Sequence, residues 1–147
     1  MTPAAAARTI RVVLVAMGAV ASATGTSVVA RGPAAIPGGA PTTASVDSVL
    51  RFYAVWWAAQ GPRAWRLARD PALDADELRS VCATTVIGGV ARLVAVQASG
   101  RPHPLFSALT ALELTLPPVL LALRRRLPGL SGRRTGNGLS PLRGFLR

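Results

Sequence analysis

Gly88-Gly89-Val90-Ala91-Arg92-Leu93, then Gly100-Arg101-Pro102-His103-Pro104, then Leu112-Glu113-Leu114-Thr115-Leu116-Pro117-Pro118: two long apolar segments run into and out of one tight turn. Each carries a single charge along its length. Arg92 lies eight residues before Gly100 and Glu113 nine after Pro104. At ~1.5 Å of helical rise per residue, both fall roughly 12 to 14 Å below the turn. The spacing therefore predicts two antiparallel transmembrane helices with an arginine and a glutamate at the same depth.

Composition points the same way. Half of the 147 residues are hydrophobic and 16% are charged, against about 25% charged in an average soluble domain, so a fully water-facing surface would be hard to assemble. The net charge is +11, and all 17 basic residues are arginine. Such a charge suits a nucleic-acid binder, but these arginines flank or interrupt apolar segments and form no basic stripe with interleaved aromatics. Nucleic acid is therefore not expected as a partner. The single cysteine, Cys82, excludes an intrachain disulfide, and the single histidine, His103, leaves no metal cluster. No nucleophile stands with a base, and no phosphate loop is present, so neither a catalytic residue nor a cofactor is expected.

Residues 1–9 read as a small-residue leader. Residues 10–30 form a first span of the ~20-residue length a bilayer requires. Within it Gly18 and Ser22, and Ala21 and Gly25, are four apart, a spacing that lets helices approach closely. Arg8 and Arg11 ahead of an apolar run ending in Val28-Val29-Ala30 also fit a cleaved secretory signal. The length of the run and the three further candidate spans favour an uncleaved helix. Residues 31–45, rich in proline and glycine, are a linker. Ser45, Asp47 and Ser48 then offer capping chemistry for a second helix.

That second span, residues 49–67, is the weakest. Arg51 lies in its first turns and Gln60-Gly61-Pro62-Arg63 interrupts its second half. An arginine at a helix centre costs ~2.5 to 3.5 kcal/mol on insertion scales, so Arg51, Arg63 and Arg66 must snorkel to a surface. Pro62 is expected to kink the helix. Residues 69–79 hold four of the six acids and read as a solvated connection, with Asp74 and Glu77 spaced as a capping box. The third and fourth spans cover residues 78–98 and 104–123, and residues 124–147 form a basic, disordered tail. Thirteen of the arginines fall on the side of the two termini, which by the positive-inside rule is the cytoplasmic one.

The string Leu50-Arg51-Phe52-Tyr53-Ala54, followed by Gly88-Gly89-Val90-Ala91-Arg92-Leu93, Gly100-Arg101-Pro102 and Leu112-Glu113-Leu114 with Pro117-Pro118, resembles the bacterial membrane-protein family known as domain of unknown function 4345. The resemblance covers residues 46–123 and, more loosely, the first helix. It implies a four-helix integral membrane protein without an established activity. The chain departs from the family pattern at residues 60–63, where a longer apolar run is expected, and at Ala95, where a serine is expected.

The expectation is thus an all-α chain, a four-helix transmembrane bundle with both termini cytoplasmic, multi-pass in a bacterial cytoplasmic (inner) membrane. Its partners are the lipid bilayer and, at the basic tail, anionic lipid. An unpaired charge at depth would be prohibitive, so Arg92, Glu113 and Arg51 are expected to form one intramembrane cluster, with Tyr53 as a further donor. Such a cluster either fixes helix register, in a structural or accessory protein, or binds or transports a small anion or anionic lipid through its surplus positive charge. Trp56, Trp57 and Trp65 read as packing or interfacial anchors.

Overall fold

The computed structural model describes residues 1–127, and the rest of the basic tail lies outside the described residues. Four helices account for 101 of the 127: α1 (Pro3–Arg31), α2 (Ala44–Arg69), α3 (Ala75–Ser99) and α4 (Pro104–Arg124), with a short 3-10 turn (Gly32–Ala35) after α1. They alternate in direction. One end of the bundle, the base, gathers the start of α1, the end of α4 and the loop 70–74. The other end, the crown, carries the linker 32–43 and the turn 100–103.

Local chemistry sets the boundaries. Thr2 caps α1 by accepting the Ala5 N–H at 3.2 Å, with Pro3 in the first turn where a missing N–H does no harm. The expected leader is therefore the opening of α1 rather than a separate segment. Gly32, at φ +60, ends that helix in a conformation L side chains avoid. Thr43, not Ser45, caps α2 by accepting the Val46 N–H, so α2 begins about a turn earlier than expected. It then runs through Pro62 without a break. Asp74 caps α3, accepting from both Asp76 and Glu77, which shortens the expected connection 69–79 to residues 70–74. His103 caps α4 through Nδ1, which accepts the Leu105 N–H.

Helices α1 and α2 form one close hairpin. A β-carbon added at Gly25 would stand 2.6 Å from the Ala58 nitrogen, and one at Gly18 would stand 3.0 Å from the Gly61 carbonyl oxygen. The small-residue spacing of α1 thus becomes backbone contact. Trp65 lies over Gly18 and donates its indole N–H to the Val15 carbonyl at 3.1 Å. Helices α3 and α4 pair about Gly89, whose absent β-carbon makes room for Leu114 and Glu113.

The two hairpins join at the base. Ile10 and Leu14 from α1, Leu67 and Ala68 from α2, Leu78, Val81 and Cys82 from α3 and Leu120 from α4 close around Leu73 of the base loop. Leu73 has φ +48 and is 0% exposed. A left-handed backbone costs a non-glycine residue ~1–2 kcal/mol. Burying a leucine side chain returns ~1.5–3 kcal/mol, enough to hold the strained turn. The loop is also clamped from both sides: Arg11 donates to the Pro71 carbonyl at 3.1 Å, and Arg124 to the Leu73 carbonyl at 2.8 Å.

Among the described residues, α1, α3 and α4 are long and apolar enough to cross a membrane. Helix α2 has the length, 26 residues, but not that apolarity. Arg51, Arg63, Arg66 and Arg69 lie within it.

Candidate functional site

Arg92 and Glu113 meet across the α3–α4 hairpin. The Arg92 Nε–H donates to both carboxylate oxygens, at 2.9 and 3.1 Å. Their side chains are 37% and 16% exposed, respectively, and the Arg92 guanidinium carbon lies 5.4 Å from the Phe106 ring centre. The pair is not level as expected. Gly89 is the residue that faces Glu113 across the helices, with 3.1 Å between its would-be β-carbon and the glutamate Cβ, so Arg92 sits about one turn nearer the crown.

The offset follows from helix geometry. Side chains tilt toward the start of their own helix. Helix α3 starts at the base, so Arg92 leans down; α4 starts at the crown, so Glu113 leans up. An antiparallel hairpin therefore brings together two residues a turn apart in height. Rise per residue alone misses this.

Arg51 does not join them. Its Nε donates to Asp47 at 3.0 Å, and its Nη1 to the Val29 carbonyl at 2.6 Å and the Ala30 carbonyl at 3.3 Å. These carbonyls belong to the last turn of α1, where backbone acceptors lack helical partners and the dipole favours a cation. Arg51 thus caps the neighbouring helix. Gly32 makes this possible, since a β-carbon there would stand 2.6 Å from Arg51 Nη2. Tyr53 is also elsewhere: it is 64% exposed and packs edge-to-face on Phe52, with ring centres 5.5 Å apart. The expected four-residue cluster is therefore corrected to one pair, Arg92 with Glu113. Helix α2 turns its Arg51 side toward α1 because Ala54 and Ala58 must face Gly25.

A third ion pair went unanticipated. Arg63 donates from Nε to Glu77 Oε1 at 2.6 Å, from Nη2 to Glu77 Oε2 at 3.4 Å, and from Nη2 to Ser80 Oγ at 2.8 Å. Glu77, which the capping-box spacing assigned to the start of α3, thus spends its carboxylate on α2. It lies ahead of the apolar stretch beginning at Leu78, and the Arg63 guanidinium bonded to it holds its carboxyl below the ordinary carboxylate range. The available signal was an acid and an arginine placed at the same end of consecutive helices. Arg51, Arg63 and Arg92 are each joined to one acid: Asp47, Glu77 and Glu113. Among the described residues no group of three or more His, Cys, Asp or Glu side chains could hold a metal ion.

Fold and charges together define a four-helix protein with three helices fit to span a membrane and arginines neutralised from within. The chain belongs to the family described as domain of unknown function DUF4345, whose model matches residues 9–124. Comparison with curated proteins yielded no match. Comparison with solved structures yielded none either.

Proposed function

We propose that this chain is a four-span protein of a bacterial cytoplasmic membrane, both termini cytoplasmic, with a structural or accessory role and no catalytic one. The observation that carries the reading is the destination of Arg51. An anion site at Glu113 required a second arginine and its surplus charge, and Arg51 is engaged instead by Asp47 and the end of α1. What remains inside the α3–α4 hairpin is one cation with one carboxylate, the composition of a register device. The same pairing supports insertion of α2, because Arg51 and Arg63 enter with their charges compensated. Removal of residues 1–30 as a signal would take Ile10 and Leu14 from the core, which argues for a retained first helix.

The test is a double-mutant cycle on Arg92→Gln and Glu113→Gln, followed by thermal unfolding of the purified chain in detergent. Each single change is expected to cost about 1–3 kcal/mol, below the 3–5 of a fully buried pair because Arg92 is partly exposed. The double change is expected to recover much of the loss. A neutral or stabilising Glu113→Gln would sink the register reading.

A further inference from the structure

The bundle has one open side. Helices α2 and α3 meet at the base, where Arg63 reaches Glu77 and Ser80 and where Leu67 and Val81 share the buried core. Beyond Arg63 toward the crown the contact stops, although the pattern that makes it continues. On α2 the line Leu67, Arg63, Gln60, Trp56, Tyr53, Val49 steps alternately by four and three residues, the spacing of a helix–helix seam. On α3 the line Glu77, Val81, Thr84, Gly88, Ala91, Ala95 steps in the same way.

The crown halves of the two lines complement each other in shape. Val49, Tyr53 and Trp56 are large and exposed, Trp56 at 62%. Thr84, Ala91 and Ala95 are small and exposed, and a β-carbon at Gly88 would meet nothing within 4 Å. Set from the observed contact of Arg63 with Ser80, beside Val81, the two lines run in step: Gln60 falls opposite Thr84, Trp56 opposite Gly88, Tyr53 opposite Ala91 and Val49 opposite Ala95. The chain already makes one contact of this kind, Trp65 seated on Gly18 between α1 and α2. In a bilayer, helices associate through such packing rather than through exclusion of water.

We propose that the seam between α2 and α3 closes along this register, the hairpins turning about the contacts that already join them, at the clamped loop 70–74 and at Gly38 with His103, so that Trp56 seats on Gly88 and Tyr53 on Ala91. The structure described here is the open arm of that equilibrium. The inference extends an existing interface, that of Arg63, Glu77 and Ser80, and does not depend on the cellular role proposed above.

Disulfide trapping tests it in the full chain, in membranes and in detergent, on a Cys82→Ala background. A disulfide needs Cα atoms within about 7 Å. Tyr53→Cys with Ala91→Cys, and independently Val49→Cys with Ala95→Cys, are oxidised with copper phenanthroline. They are compared with the off-register pair Phe52→Cys with Ile87→Cys. Gly89→Cys with Glu113→Cys is the reference, since both belong to the α3–α4 hairpin and a β-carbon on Gly89 would lie 3.1 Å from Glu113 Cβ. Closure predicts intrachain disulfides at both seam pairs, formed at least five-fold faster than at the off-register pair. If the reference pair oxidises while the seam pairs form no faster than Phe52/Ile87, or if the seam disulfides join two chains, the seam does not close.

Discussion

Gly89 and Glu113 face each other so closely across the α3–α4 hairpin that a β-carbon on the glycine would stand 3.1 Å from the glutamate Cβ and 2.9 Å from Leu114 Cδ2. The Leu114 methyl is the free end of a flexible side chain and can turn aside, whereas the Glu113 Cβ moves only with its helix. Gly89→Ala is thus expected to cost about 1 kcal/mol and Gly89→Leu about 2–3 kcal/mol, in the range of overpacked cores. Thermal unfolding in detergent checks the order.

Reversing the charges should keep most of the Arg92–Glu113 pair, because the lean of each side chain belongs to its helix and not to its chemistry. Arg92→Glu with Glu113→Arg is expected to be more stable than either single reversal by at least 2 kcal/mol. It should fall short of the native chain by about 0.5–2 kcal/mol, since the cation leaves the Phe106 ring. A double reversal no better than the singles would mean that the side chains do not meet.

Arg51 and Glu113 should act independently. Arg51→Gln removes the donor from the last carbonyls of α1 and strands Asp47, at an expected cost of about 1–3 kcal/mol. Combined with Glu113→Gln, the losses should add to within ~0.5 kcal/mol, as for residues without shared partners. A coupling above 1 kcal/mol would restore the cluster that the sequence suggested.

Stability should also depend on Glu77 in acid. Its carboxyl is held below its ordinary value by Arg63, so the folded form binds its proton less readily than the unfolded form. The resulting stabilisation is present above the unfolded value of ~4.3 and is lost as pH falls through the lower folded value. Unfolding temperatures followed from pH 7 downward should decline more steeply for the native chain than for Glu77→Gln. Parallel curves would assign the acid sensitivity to other groups.

These outcomes bear on what a sequence discloses. Depth along a helix was legible only to about a turn: counting the rise placed Arg92 and Glu113 near each other in height, but the lean of each side chain, which lets residues a turn apart meet, does not enter the count. Direction around a helix was not. Which side of α2 meets α1 is decided by the fit of Ala54 and Ala58 against Gly25, and only that fit reveals that Arg51 points at Val29. The loop was hidden for a related reason. Leu73 reads as one apolar residue among acids, and nothing local announces that its left-handed turn buries it beneath four helices.

The distribution of α2's partners has a consequence for biosynthesis. Arg51 is satisfied by residues made before it, at the end of α1, and Arg63 by Glu77, made after it. A nascent chain that has released only α1 and α2 therefore holds Arg63 without its acid in the last two turns of α2, after Pro62. On the four-span reading proposed above, integration of α2 waits for the first turn of α3. Glycosylation-site mapping of truncated chains checks the delay: a chain ending at residue 72 should leave α2 outside the bilayer, and one ending at residue 99 should carry it across. Insertion of α2 in the shorter chain would show that Arg63 enters the bilayer without its acid.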